Sequence, residues 1–130
     1  MSLEHGTYLI TVKDNIIVIK LSGPFNDFGA IALLSEVKKT IKGFNHNNFS
    51  ILDNFLELEG ATPEAMYEAM YEANEFNKWL INQNLVAKAI VIRSIALKEL
   101  DKKLIPSQEN LNIKFFENEE EAMHWLKTQN

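Results

Sequence analysis

The sequence contains no cysteine. That absence removes disulfides, thiolate nucleophiles and thiolate metal sites together. Long apolar runs are missing as well: clean ones such as Ile16 to Ile19 are far too short to cross a bilayer. Basic residues are in the minority, 13 Lys and Arg against 18 Asp and Glu, for a net charge of -5. An acidic balance argues against a phosphate backbone as partner, since nucleic-acid affinity rests on clustered cations. The local group Lys38, Lys39 and Lys42 reads instead as the solvated end of a helix, where cations suit the dipole. Only three histidines occur, His5, His46 and His124, and none has metal-ligand spacing. There is no Gly-x-Ser-x-Gly elbow, Walker loop or dinucleotide fingerprint. Met1 to Gly6 has neither the basic start nor the apolar stretch of a signal peptide, so the expectation is a cytoplasmic protein without cofactor.

The 130 residues, 46% apolar and 24% charged, have the composition and length of one globular domain spanning 1–130. Its central stretch is Phe49 to Ala65, FSILDNFLELEGATPEA, which reads as a short buried strand, an acidic loop and a helix start. Thr62 suits the cap, Pro63 the first helical position and Glu64 the positive end of the dipole. Before it, Thr7 to Val12 alternates, Lys13-Asp14-Asn15 turns, and Ile16 to Leu21 returns, which predicts an antiparallel hairpin. Ser22 to Asn26 reads as a turn ending in a cap at Asn26. Helical spacing then runs from Asp27 to Lys42 through Ala30, Leu33, Leu34, Val37 and Ile41, with Gly43 as the stop.

The second helix is expected over Pro63 to Asn82, burying Met66, Met70, Ala73, Phe76 and Leu80. Val86 to Ile92 is a strand, and Ser94 opens a third helix through Ile95, Leu97, Leu100 and Leu104. Asn112 to Phe116 is the last strand. Asn118 and Glu121 then have capping-box spacing ahead of a final helix. The order ββαβαβαβα describes a mostly parallel five-stranded α/β sheet with an antiparallel edge hairpin and about four helices. Crossovers of one hand between sequential strands place their helices on one face, leaving the other to be covered. A shared parity is expected to put Thr11, Lys20, Ser50, Lys88 and Lys114 on one half-wet face with Ile16, Val18, Leu52, Ile90 and Phe116.

The hairpin, GPFN at Gly23 to Asn26, ILDNFLELEGATPEA at Ile51 to Ala65, KAIVI at Lys88 to Ile92 and EEAMHWL at Glu120 to Leu126 together resemble the SpoIIAA-like family of the STAS superfamily. The resemblance implies a β-α superhelix and a non-enzymatic module that binds a partner protein or a second copy of itself. The similar CRAL-TRIO fold, which holds lipids, supplies an alternative. The phosphorylatable antagonists of that superfamily carry an Asp-Ser pair after the central strand. Here the matching stretch is Asp53-Asn54-Phe55, and the next hydroxyl after it along the chain is Thr62.

Three sets of candidate residues follow. Phe55, Leu56, Glu57, Glu59 and Thr62 form the expected partner-binding edge, because an apolar Phe55-Leu56 pair in a loop has little use on a solitary domain. Met66, Met70, Phe76, Phe115 and Phe116 are the candidate lining for a small apolar ligand or lipid. Asp53, Glu57 and Glu59 are three carboxylates at a strand end, suited to a hard cation or to acid–base work, although a solvated acidic loop explains them more simply. No metal site and no catalytic residue is assigned. Thr62 is read as an N-cap before a phosphorylation site.

Overall fold

The computed structural model describes residues 6–61, 63–93 and 111–129, with residues 27, 59–61 and 63–70 described by backbone only. The hairpin strands are β1 (Thr7–Lys13) and β2 (Ile16–Phe25), followed by α1 (Asp27–Lys42), β3 (Phe49–Ala61) and α2 (Pro63–Ile81). The remaining elements are β4 (Leu85–Val91), β5 (Ile113–Phe116) and α3 (Glu119–Thr128). The five strands lie in sequence order, with β1 antiparallel to β2 and every later pair parallel. The fold is thus the mixed five-stranded α/β sheet expected, with three helices among the described residues. The helix expected from Ser94 through Leu104 lies outside them. Among the described residues no helix is long and apolar enough to cross a membrane.

Local chemistry explains the helix boundaries. The Asn26 side chain accepts the Gly29 N–H at 2.9 Å, and Asn118 accepts that of Glu121 at 2.8 Å, each satisfying one orphan donor of a first turn. Gly43 ends α1 with φ of -65°, so it closes the helix in ordinary right-handed geometry rather than as a left-handed cap.

Two strands are longer than their sequence implies. β2 continues through Gly23 and Pro24, and β3 continues through the stretch read as an acidic loop, pairing Ser22 with Glu57, Gly23 with Leu58 and Phe25 with Ala61. Two irregularities make this ladder possible. Between the Lys20–Asn54 and Ser22–Glu57 pairs β3 advances three residues to two on β2, and between Gly23–Leu58 and Pro24–Gly60 it advances two to one. The Asn54 carboxamide oxygen accepts the Leu56 N–H at 3.0 Å and braces the first bulge. Gly23, with φ of +76°, and Pro24, without an N–H, occupy the second, where a left-handed residue and a missing donor are tolerated. Gly23→Ala is expected to cost about 1–2 kcal/mol because a Cβ is strained at this φ. The check is a urea melt, in which a midpoint equal to that of the parent would show that the turn imposes no such demand.

The helices divide between the faces. Ile17, Ile19, Leu21, Phe49 and Ile51 pack with Val37 and Ile41 of α1 and Phe76 and Leu80 of α2. On the other face Ile16, Val18, Leu52, Ala87, Ala89, Val91 and Phe116 pack with Ala122 and Leu126 of α3. The uncovered face expected from same-handed crossovers is therefore covered over its β3–β5 half by α3. α3 follows β5 and does not connect two of the five strands, so the crossover rule does not bind it.

The shared parity is corrected as well. The register pairs Lys88 with Ile51 and Ile113, and Ile90 with Asp53 and Phe115, so Lys88 and Ile90 belong to the α1–α2 face. Thr11, Lys20, Ser50 and Lys114 stay on the α3 face, opposite or beside Val18, Asn54, Ile16 and Ala89.

Candidate functional site

The middle of β3, with the adjoining residue of β4, gathers most of the polar residues that the sheet buries. Asp53 and Lys88 are both buried on the α1–α2 face, and Lys88 Nζ lies 3.3 Å from Asp53 Oδ2 with each side chain 11% accessible. The same ammonium sits 5.7 Å from the centroid of the Phe76 ring, a cation–π distance in a desolvated setting. Asp53 is thereby committed to an internal ion pair. Buried charges are tolerated only when paired, so this carboxylate is tied to the α2 side of the sheet.

Asn54, next in the chain, belongs to the other face and reaches the first turn of α3. Its side-chain amide donates to Glu119 Oε1 at 3.4 Å, and Glu119 Oε2 lies 3.5 Å from Lys20 Nζ. The Arg93 guanidinium donates to the Leu56 carbonyl at 2.9 Å, pinning the bulge to the end of β4. Lys20–Glu119 is half-exposed, and such a pair contributes little stability. Its effect is positional, holding the start of α3 against the strand ends.

The three carboxylates proposed from sequence do not converge. Asp53 pairs in register with Ile19 of the α1–α2 face, whereas the bulge sets Glu57 opposite Ser22 of the α3 face. Glu57 is exposed, and Glu59 is described by backbone only. Among the described residues no group of three His, Asp or Glu is placed to hold a metal ion. Phe55 packs against the α1–α2 core and Leu56 against the α3 core, both half-buried. The segment expected as a loop is a strand that divides its apolar residues between two cores. Thr62 lies outside the described residues.

The apolar-ligand set is divided too. Phe115 pairs with Ile90 and Phe116 with Val91, so successive residues of β5 face opposite sides of the sheet and cannot line one pocket. Phe116 packs on Trp125 with centroids 5.7 Å apart, and Phe76 stacks on Trp79 at 5.8 Å. Met66 and Met70 stand on α2, with their side chains outside the description. Among the described residues, open space lies elsewhere. A groove of about 1090 Å³ runs between the hairpin and α3, lined by Leu9, Thr11, Val18, Lys20, Met123 and His124 among others. It is the half of the α3 face that α3 leaves bare.

The model of the SpoIIAA-like family matches residues 16–127. The chain belongs to the SpoIIAA-like family. Solved structures of the same fold cover nearly the whole domain. A DUF3478-family protein with a SpoIIAA-like fold from Shewanella loihica superposes with a TM-score of 0.66 at 16% identity, covering 97% of both chains. An anti-sigma factor antagonist from Mycobacterium paratuberculosis gives 0.61 at 13% identity and 95% of both. The anti-sigma factor antagonist SpoIIAA in its unphosphorylated form gives 0.59 at 15% identity, with 93% of this chain and 98% of that one. No curated protein matches the chain in sequence. At these identities the neighbours establish the architecture of this SpoIIAA-like domain. Their phosphorylation and sigma-factor roles remain theirs.

Two features of this SpoIIAA-like domain were missed by reasoning from sequence alone. The Asp53–Lys88 pair was concealed because Lys88 was assigned to the wrong face. A period-two count started from the fully buried run at Ala87 to Val91 has no internal phase, and only the partner register supplies one. The bulge at Asn54 to Leu56 carried a usable signal, an Asn two residues before the amide it caps.

Proposed function

We propose that this domain is a non-enzymatic, cytoplasmic binding module that regulates a partner protein through contact at the carboxyl end of β3. The observation that carries the reading is family membership over residues 16–127, in a fold whose solved neighbours include anti-sigma factor antagonists. The contact strip is Phe55, Leu56, Glu57, Glu59 and Thr62. Within it Glu57 is an exposed acidic residue on a doubly bulged strand, which suits it to choosing a basic patch on a partner. Phe55 and Leu56 pack into the cores on the two sides of the sheet and so anchor the strand that carries Glu57.

The test is affinity purification of the tagged protein from its own cells, comparing the parent with Glu57→Lys. The partner is expected to be retained by the parent and lost or reduced at least tenfold in Glu57→Lys, because reversing a rim charge replaces attraction by repulsion. Circular dichroism of both proteins should coincide. Equal recovery of the partner by the two would remove Glu57 from the interface.

A further inference from the structure

We propose that the outer edge of β1 pairs with the β1 edge of a second copy, antiparallel and centred on Ile10, to join two sheets into one of ten strands. Among the described residues β1 is the edge strand of the sheet, and Leu9 and Val12 are 59% and 49% exposed. From Tyr8 to Val12 it has no charge, proline, glycine or bulge, the devices that keep a free edge from recruiting another chain.

The hydrogen-bonding phase of the hairpin singles out this partner. Ser50 N–H donates to the Asn15 carbonyl at 2.8 Å, so the odd-numbered residues of β2 bond to β3 and the even-numbered ones bond to β1. The register matches Lys13, Thr11 and Leu9 to Ile16, Val18 and Lys20, which commits those β1 residues inward. Ile10 and Val12 therefore turn their N–H and C=O groups away from β2. An antiparallel two-fold at Ile10 matches this outward set to itself, with Ile10 opposite Ile10 and Val12 opposite Tyr8 of the second copy.

The side chains agree with the same register. Ile10–Ile10 and Val12–Tyr8 are β-branched and aromatic cross-strand pairs, and Leu9 falls opposite Thr11. Lys13, the one charged residue of the strand, falls opposite Thr7, so no like charges meet. A symmetric contact needs a surface complementary to itself, and this strand is one. The proposal is independent of the β3 edge and survives or fails without it.

Light scattering and amide hydrogen exchange on the unmodified protein, with light scattering repeated on Val12→Pro, test it. Proline at position 12 removes an outward N–H and leaves the β1–β2 ladder complete. The expected result is a particle of twice the 14.9 kDa chain mass, slow exchange at Ile10 and Val12, and a single-chain mass for Val12→Pro. A single-chain mass for the unmodified protein overturns the proposal, whether those amides exchange fast, as on an open edge, or slowly, as under another segment of the chain. A double mass with fast exchange at both positions, or one that persists in folded Val12→Pro, also overturns it by moving the contact to another surface. If Val12→Pro does not fold, the exchange rates and mass of the unmodified protein decide.

Discussion

Lys88→Met is expected to destabilise the domain by about 3–5 kcal/mol, because it leaves the Asp53 carboxylate buried without its ammonium. Both side chains are 11% accessible and their charges stand 3.3 Å apart, so water cannot replace the lost partner. The loss is a large part of the roughly 5–15 kcal/mol that holds a domain folded. Met keeps most of the aliphatic stem of Lys88 and removes the ammonium, with its position 5.7 Å from the Phe76 ring centroid, so the effect reads the loss of the charge. Adding Asp53→Leu to Lys88→Met is expected to recover most of the loss, since two well-packed apolar residues commonly equal or exceed a buried ion pair. Urea midpoints of parent, single and double variants measure this as a cycle. A single variant as stable as the parent would mean that Asp53 finds sufficient compensation elsewhere.

The second large effect is expected at Leu126→Ala, about 2–5 kcal/mol, from lost transfer energy and the cavity left behind. Leu126 is fully buried against Leu52, Ala89 and Val91, in the layer that α3 lays over the sheet. Met123→Ala, on the same helix but only half-buried, should cost clearly less. The contrast matters because it separates docking of α3 from its intrinsic helicity, which the two substitutions alter alike. Equal, small losses in the two variants would show that α3 does not seal this face.

The sequence made the element types and their order legible through strong local signals: alternation in β1, single-face spacing in α1 and α2, and side-chain caps at Asn26 and Asn118. What was not legible was set by contacts distant in the chain. Gly23-Pro24 reads as a turn because both residues favour turns, yet the parallel neighbour β3 recruits them into a strand by bulging twice. Glu57 was grouped with Asp53 because both lie near the end of one short strand, and the bulge between them sets the two on opposite faces of a longer one. The ion pair depends on a register between β3 and β4 that no local pattern in an all-buried strand can report. The α3 layer lay outside the rule used to place helices, which governs connections between strands and not a terminal element.

The wider consequence is a division of labour along β3. Its first half is core, with Phe49, Ile51 and Leu52 almost fully buried, while its second half carries side chains alternately into two cores and out to solvent. Rigid presentation of an exposed residue from a packed strand lowers the entropy lost on binding, which suits a module whose work is recognition.

The most direct measurement is site-specific photo-crosslinking in the native cells, with a photoreactive residue at position 57 and, as control, at the exposed position 42 on α1. A discrete protein adduct at position 57 that is missing at position 42 is the expected result. No adduct at position 57, or the same adducts from both positions, would contradict a binding surface at the carboxyl end of β3.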